Sequence, residues 1–159
     1  MKYLRFFIVF LAFMVFFLPS CDTNRIYEEN IEIPEGIWNE GYIPEFKVNI
    51  TDIKIPYNLL VNVRHGDGYP HKNLWLFIQT TSPSGKSFVD TTNFTLAEEN
   101  GEWRGDGAGD LWDIQLPYKD TVGFLEPGIY TVKIRQGMRY DNLPYILSMG
   151  LRVEKAERK

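Results

Sequence analysis

The sequence predicts an all-β fold, an antiparallel β-sandwich of about eight short strands, with jelly-roll and immunoglobulin-like connections both open. Aromatic residues make up 15% of the chain, and valine, isoleucine, threonine and tyrosine recur in short runs, as is typical of strands. Apolar and polar side chains alternate with a period of two through several of these runs. Turn residues separate the runs, and the sequence has no amphipathic helical pattern of useful length.

The first half of the chain is predicted to contain two strands followed by a hairpin. Residues 46–50 alternate apolar and polar side chains, so they form a strand with one buried face. Residues 57–64 form the next strand, and residues 73–81, apolar on both faces, form a central one. A turn at 82–85 leads into its hairpin partner at 86–96, because proline suits the second turn position and glycine the end.

The second half of the chain completes the sandwich. Its predicted strands are residues 111–116, 122–124, 129–135 and 146–153. Pro117 ends the first of these, because proline has no N–H to donate to a sheet. The 129–135 strand places Tyr130, Val132 and Ile134 on one face. Residues 136–144 form a long connection with room for one helical turn.

Residues 1–20 have the layout of a signal peptide. Lys2 and Arg5 precede an apolar run at residues 6–18, and the small Ser20 stands at the exit. As a helix this run would span roughly 20 Å, short of the ~30 Å hydrocarbon core of a bilayer. A permanent transmembrane helix is therefore the weaker interpretation.

Cys21 is the only cysteine of the chain, and the order Leu18-Pro19-Ser20-Cys21 is similar to a bacterial lipobox. Cleavage after Ser20 would leave Cys21 at the mature N-terminus, carrying a diacylglyceryl thioether and an N-acyl chain. Each buried methylene contributes about 0.8 kcal/mol, so two or three chains give stable anchoring. The alternative is ordinary secretion with an unpaired thiol, since a lone cysteine has no internal disulfide partner.

The mature chain is predicted to have three parts. Residues 21–45 are a tether, because proline, glycine and acidic residues recur there without a sustained period, and its extended length could reach ~70 Å. Part of this tether is open to forming a first ordered strand. The candidate docking residues are Ile31, Ile33, Ile37 and Trp38. Residues 46–155 form the β-sandwich, and residues 156–159 form a charged tail.

Composition limits the possible partners. Removal of 20 residues from 159 leaves 139, enough for one domain. The net charge of −4 becomes −6, because Lys2 and Arg5 are lost. An acidic chain gives no reason to expect nucleic-acid binding. No cofactor motif and no small-molecule substrate site are indicated.

The glycine-rich stretch 105–110 has three interpretations. A phosphate loop is disfavoured, because the stretch lacks the Gly-Lys-Ser/Thr ending. A weak calcium site at Asp106 and Asp110 stays open, although Pro117 stands where an EF-hand would place its glutamate. The favoured interpretation is a mobile or bulged loop without a ligand.

Other candidate chemistry is sparse. His65 and His71 flank Asp67 on one loop, a spacing that would let both meet a metal, but solvated surface histidines are the favoured interpretation. Asp110 and Asp113, three apart in a predicted strand, point to opposite faces. No Gly-x-Ser-x-Gly elbow surrounds a serine, so the sequence contains no recognisable catalytic constellation and predicts a protein that is not an enzyme.

The tryptophans are candidates for a binding surface. Trp75 lies in the most apolar predicted strand, which favours a place in the core. Trp103 and Trp112 flank the glycine-rich stretch and are equally compatible with core and surface. Exposed aromatic residues there would favour protein–protein contact or the stacking of a sugar.

Several segments together carry a resemblance to a known family. They are residues 56–64 (PYNLLVNVR), 69–78 (YPHKNLWLFI) with 82–86 (SPSGK), 105–113 (GDGAGDLWD), 128–139 (GIYTVKIRQGMR) and 143–155 (LPYILSMGLRVEK). With the lipobox and the sandwich pattern, the chain resembles GldH, the gliding motility lipoprotein family of Bacteroidetes. The likeness covers nearly the whole mature chain. The only functional residue that it carries across is Cys21.

The resemblance implies a membrane-anchored envelope lipoprotein without enzyme activity. Its expected role is that of an accessory or scaffold component of the gliding apparatus and the associated secretion machinery, with other envelope proteins of that machinery as partners. Because Asp22 is followed by Thr-Asn-Arg rather than a run of acids, a periplasm-facing location is expected. The alternative function is that of a surface glycan-binding lipoprotein, and an envelope hydrolase is the weakest.

Overall fold

Eleven strands make up the part of the chain that the computed structural model describes, residues 22–156. In chain order they are β1 (Arg25–Glu32), β2 (Ile37–Asn39), β3 (Glu45–Ile50), β4 (Tyr57–Gly66), β5 (Asn73–Thr81), β6 (Ser87–Thr95), β7 (Asp106–Ala108), β8 (Leu111–Val122), β9 (Gly128–Gln136), β10 (Asn142–Pro144) and β11 (Ile146–Lys155). The all-β prediction is confirmed, with eleven strands in place of about eight. Within residues 22–156, no helix has the length and apolar character to cross a membrane.

Two antiparallel sheets face each other. The five-stranded sheet has the order β1-β11-β4-β8-β7, and the four-stranded sheet has the order β3-β9-β5-β6. A short β10-β2 ladder forms a third, two-stranded sheet. Apolar side chains of both larger sheets belong to one buried cluster, which is the arrangement of a β-sandwich.

Alternation along the strands decides which side chains enter this core. In β4 the alternating buried positions are Tyr57, Leu59, Val61, Val63 and His65, and Gly66 at the end of the strand is buried as well. In β9 they are Tyr130, Val132, Ile134 and Gln136, which confirms the predicted buried face of that strand. Successive side chains of a strand point to opposite faces, so the residues between these positions form the outward faces of the sandwich.

The segment predicted as a tether belongs largely to the sandwich. β1 pairs with β11 from Arg25 opposite Glu154 to Glu32 opposite Ser148. Further along, Ile33 is buried and Trp38 is fully enclosed, with its Nε1–H donated to the Tyr42 carbonyl at 2.8 Å. From Arg25 onward the segment follows the alternative left open for it, an ordered first strand with Ile33 and Trp38 docked on the domain.

Other elements correct the predicted boundaries. β8 continues through Pro117 to Val122, so the predicted end at Pro117 and the separate 122–124 strand were wrong. The pairing of β4 with β8 shifts register between Leu59 and Leu60, opposite Lys119 and Pro117. A bulge tolerates proline, because the ladder is already interrupted there. Residues 136–144 contain β10 and no helical turn.

The β5–β6 hairpin matches its prediction. Thr81 pairs with Ser87 across a turn closed by the Gly85 N–H, which donates to the Ser82 carbonyl at 2.9 Å. Gly85 has φ +86°, a conformation that glycine adopts without steric cost. The predicted signal peptide 1–20, the lipid site Cys21 and residues 157–159 lie outside the described residues.

Candidate functional site

The outward face of the four-stranded sheet carries an aromatic and cationic surface, called here the aromatic platform. It consists of Trp75, Phe77, Arg135, Met138 and Tyr140. β5 runs between β9 and β6 and buries Leu74, Leu76 and Ile78, so its odd-numbered residues point outward. The guanidinium of Arg135 lies 4.7 Å from the centroid of the Phe77 ring, within the range of a cation–π contact.

Trp75 is on the surface, and its predicted place in the core was wrong. Its side chain is 41% exposed although its strand is central in the sheet. Only one face of β5 enters the core, because the four-stranded sheet has no layer against its other side among the described residues. The Trp75 N–H donates to the Met138 sulfur at 3.3 Å, and the Trp75 carbonyl accepts from the Gly137 N–H at 2.7 Å.

The turn after β9 is held rigidly against this strand. Gln136 is buried; its side-chain amide donates to the Tyr140 carbonyl and accepts from the Met138 N–H at 2.8 Å. A Cβ atom on Gly137 would lie 2.9 Å from the Phe77 ring. Only glycine therefore allows the turn to lie this close to Phe77 without displacement. These contacts hold Met138 and Tyr140 beside Trp75.

A shallow depression adjoins the platform. It has a volume of about 730 Å³ and is lined by His71, Asn73, Trp75, Arg139 and Tyr140, among others. The rings of His71 and Tyr140 meet edge to face, 5.2 Å between centroids. The depression therefore combines aromatic rings with amide, imidazole and guanidinium groups.

The two histidines do not form the solvated pair that was favoured. His65 is completely buried; its Nδ1 lies 3.1 Å from the Gly66 carbonyl, and its ring meets that of Trp103 at 4.6 Å. Burial lowers the pKa of His65, so the imidazole is neutral near pH 7. Asp67 accepts a hydrogen bond from Trp103 Nε1 at 2.8 Å. Within residues 22–156, no group of three or more metal-ligating side chains is assembled.

The glycine-rich stretch 105–110, expected to be a mobile or bulged loop, contains β7 and the turn into β8. β7 pairs with the start of β8, with Asp106 opposite Asp113 and Gly107 opposite Trp112. A Cβ on Gly107 would lie 2.8 Å from the Trp112 ring. The glycine thus serves close packing on Trp112, which is half-buried.

The outward face of the five-stranded sheet is polar. Arg152 contacts Glu154 at 2.9 Å, Glu28 at 3.1 Å and also Asp22. Below this cluster, the Gln115 amide donates to Asn62 at 3.0 Å, and the Asn62 amide donates to Asn30 at 3.1 Å.

On the same face, the Arg64 guanidinium donates two hydrogen bonds, of 2.8 and 3.0 Å, to the Asp113 carboxylate. The polar side chains of this face are thus largely paired with one another.

A cleft of about 660 Å³ opens where the two sheets separate at the β6 and β8 edges. Tyr118 of β8 donates a hydrogen bond to Asp90 of β6 at 2.7 Å, and Lys119 lies 2.9 Å from the same carboxylate. The Tyr118 hydrogen bond, followed by that of Lys119, lowers the pKa of Asp90. Burial, and then the bond to Asp90, raises the pKa of Tyr118. These three groups join the two sheets beside the cleft.

The fold and these surfaces define a β-sandwich domain with one self-paired polar face and one exposed aromatic face. Comparison with known proteins adds the family. The GldH lipoprotein family profile matches residues 25–153. The chain therefore belongs to the GldH lipoprotein family, which is a family of lipoproteins and not a known enzyme family.

Two relatives are similar over nearly their whole length. The chain is 34% identical over 152 residues to "Gliding motility lipoprotein GldH homolog" of Christiangramia forsetii, covering 91% of this chain and 93% of the relative. It is 32% identical over 157 residues to "Gliding motility lipoprotein GldH" of Flavobacterium johnsoniae, covering 94% and 96%. These relatives support a lipid-anchored location in the cell envelope and a role in gliding motility.

A solved structure, "Structure of infectious bursal disease virus Gx strain", is 14% identical and covers 86% of this chain and 36% of its own. Its TM-score is 0.32, too low to carry any argument.

Sequence reasoning missed most of the aromatic platform. Arg135, Met138 and Tyr140 lie in segments whose sequence gave no reason to place them beside Trp75. The available signal was the alternation in β9, which buries Ile134 and so turns Arg135 outward. Only the β5–β9 register, with Phe77 opposite Arg135, brings these groups together.

Proposed function

We propose that this chain is a non-enzymatic, membrane-anchored scaffold of the gliding motility and associated secretion machinery. Cleavage after Ser20 exposes Cys21, which receives the lipid, and the domain faces the periplasm. The two relatives named as gliding motility lipoproteins support a role in gliding motility. The lipobox-like order before Cys21 supports the anchor.

The observation that carries the scaffold role is the aromatic platform. Tryptophan, tyrosine, arginine and methionine are the residue types enriched at protein interfaces, and tryptophan, tyrosine and arginine dominate binding hot spots. Here Trp75, Tyr140 and Arg135 are exposed on a rigid strand and a tightly tied turn. Preformed surfaces of this kind bind with little ordering cost. The platform is therefore the surface on which another envelope protein would dock.

The experiment is purification of the full-length lipoprotein from its native membranes, with mass spectrometry of the co-purified proteins. We expect gliding or secretion components with the wild-type protein and at least a roughly tenfold loss in Trp75→Ala, as for a hot-spot residue. Gln115→Ala on the polar face is the matched control and should retain them. Cys21→Ala should lose both the acyl chains and the membrane fraction.

Two results would contradict parts of this proposal. One is equal recovery of partners with Trp75→Ala and wild-type protein, which would remove the aromatic platform as the docking surface. The other is recovery of the acylated protein alone, which would leave the anchor standing and remove the scaffold role.

The alternative function, glycan binding, is favoured by the depression beside the platform. Trp75 and Tyr140 offer faces on which sugar rings stack, and Asn73 and Arg139 supply hydrogen-bond donors. A glycan array probed with the full-length protein in detergent tests it, with Trp75→Ala as control. Signals that disappear in the variant would favour this function, and an array without signals from folded protein would end it.

A further inference from the structure

One end of the sandwich contains the start of β1 and several loops with apolar residues; it is called here the anchor end. Arg25 at the start of β1 pairs with Glu154 near the end of β11, and Tyr57 pairs with Val122 and Lys155. The loops 51–56 and 123–127 cross from one sheet to the other at this end. The β5–β6 turn also lies here, because Gly128 approaches Pro83.

The lipid site lies close to this end in the chain. Asp22, next to Cys21, already contacts Arg152 of β11. From Cys21 to Arg25 the chain can span at most roughly 14 Å, far less than the long tether that the sequence suggested. An acylated Cys21 would therefore hold the anchor end near the bilayer surface.

The anchor end displays apolar side chains to solvent. Leu125 is 92% exposed, Phe88 55% and Ile53 42%. These residues come from three separate segments: the β8–β9 loop, the start of β6 and the β3–β4 loop. Exposed apolar groups that gather at one site indicate an interaction surface more strongly than the same residues scattered singly.

Leu125 is held outward by a loop that is tied on both sides. Before it, the Phe124 ring packs between those of Tyr57 and Tyr130, at 5.4 and 4.6 Å. After it, the Glu126 carbonyl accepts from the Tyr130 hydroxyl at 2.9 Å. The Glu126 carboxylate accepts from the Ser84 hydroxyl at 2.6 Å. The exposure of Leu125 is thus built into a constrained loop.

Charges at this end are mixed in sign and do not suggest electrostatic attraction to a lipid surface. Basic side chains, among them Lys54, Lys86 and Lys155, share it with carboxylates that include Asp52, Glu126 and Glu154. An apolar contact is therefore the more consistent mode of binding, and it should be insensitive to salt.

We propose that the anchor end sits directly on the membrane, with Leu125, Phe88 and Ile53 in the interfacial layer of the bilayer, so that the sandwich has one fixed orientation. The inference rests on the proposed acylation of Cys21. Apolar side chains of interfacial proteins enter about 5–10 Å into the headgroup and acyl boundary. The β2–β10 ladder lies at the opposite end of the sandwich and points away from the lipid.

The test uses the full-length acylated protein in phosphatidylcholine vesicles that contain nitroxide-labelled lipid. An environment-sensitive fluorophore is attached to Leu125→Cys or, as the matched control at the opposite end, Ile43→Cys, which is 44% exposed in the wild type. We expect a blue-shifted emission with at least roughly twofold quenching at position 125 and none at position 43. A second reporter at Ile53→Cys should lose part of its quenching when Leu125→Asp is added.

Mass spectrometry of Cys21 separates the two proposals. If Cys21 is acylated and the Leu125→Cys label stays as water-exposed as the control, membrane seating is wrong and the anchor stands. If a Phe88→Cys label is quenched while position 125 is not, lipid enters the cleft and seating is again wrong. If Cys21 carries no acyl chain, the anchor fails, and seating is overturned with it.

Discussion

The two outward faces of the sandwich differ in how their side chains are satisfied. On the five-stranded sheet, Asn62 and Arg152 are hydrogen-bonded to side chains on other strands of the sheet. On the four-stranded sheet, Trp75 leaves much of its apolar surface open to solvent, and Phe77 is half-buried beside it. A polar face paired within itself offers few free groups, whereas exposed aromatic rings gain free energy when a partner covers them. The difference indicates which face is kept for binding.

The largest expected effect comes from Gly150→Ala on the polar face. Gly150 lies opposite Asn30 and Asn62, and an added Cβ would collide with the Asn30 oxygen and lie 2.8 Å from the Glu29 carbonyl. Because the second contact is to backbone, the free energy of unfolding should fall by about 3 kcal/mol. Urea unfolding measures it.

Gly123→Ala is the matched control for this change, since its Cβ would meet no atom within 4 Å. It should leave stability within about 0.5 kcal/mol. A similar loss in both variants would mean that the close packing at Gly150 is not what holds β1 in place.

Arg152→Met should lower the free energy of unfolding by about 1–2 kcal/mol. The Arg152 side chain is 14% exposed, so its ion pairs lie between the exposed and the buried cases. Methionine retains much of the apolar stem and removes the charge. Thermal unfolding at pH 7 measures the loss. Arg135→Met on the aromatic platform is the matched control and should cost less, because Arg135 is exposed and faces the Phe77 ring.

Comparison of the same two variants isolates the acid dependence that Arg152 creates on the polar face. The hydrogen bond from Arg152 lowers the pKa of Asp22 below its ordinary value of 3.8. Burial raises the pKa of Glu28, but hydrogen bonds from Arg25 and Asn62 and the charge of Arg152 outweigh it and lower the pKa below 4.5. Each carboxylate contributes stability that is present above its ordinary pKa and lost as pH falls through the lower folded value.

Between pH 6 and pH 3, the free energy of unfolding should therefore fall less steeply with acid in Arg152→Met than in the wild-type protein. Arg135→Met should follow the wild-type slope. Parallel slopes for all three proteins would mean that Arg152 does not set the acid sensitivity.

The comparison also explains what the sequence could predict. β3, β4, β9 and β11 follow from alternation, because a half-buried strand imposes it, and β5 and β6 follow from an apolar run and the hairpin turn after it. β1 was only an alternative in the sequence, because its partly buried apolar residues, Tyr27 and Ile31, are separated by the polar residues 28–30. Its strand conformation is decided by pairing with β11, some 120 residues away in the chain.

The aromatic platform was not predicted because its strand has too many apolar residues, whereas β1 has too few. Residues 74–78 are apolar at every position, so periodicity could not tell the buried face from the open one, and Trp75 was assigned to the core. Even positions are buried because they face the other sheet. The signal is in the tertiary arrangement, which among residues 22–156 places no second sheet over the odd positions, and a single sequence does not contain it.

The smallest expected effect tests whether the platform is as rigid as its contacts indicate. In Gly137→Ala the added Cβ would lie 2.9 Å from the Phe77 ring and 3.3 Å from the Trp75 carbonyl. A ring moves more readily than backbone, so the free energy of unfolding should fall by about 1 kcal/mol. The fluorescence of Trp75 should shift as well. In a Phe77→Leu background the penalty should shrink, because the two changes share one contact. Additive losses would show that the turn yields without pressing on Phe77, and the platform would then be a flexible surface whose partner must pay to order it.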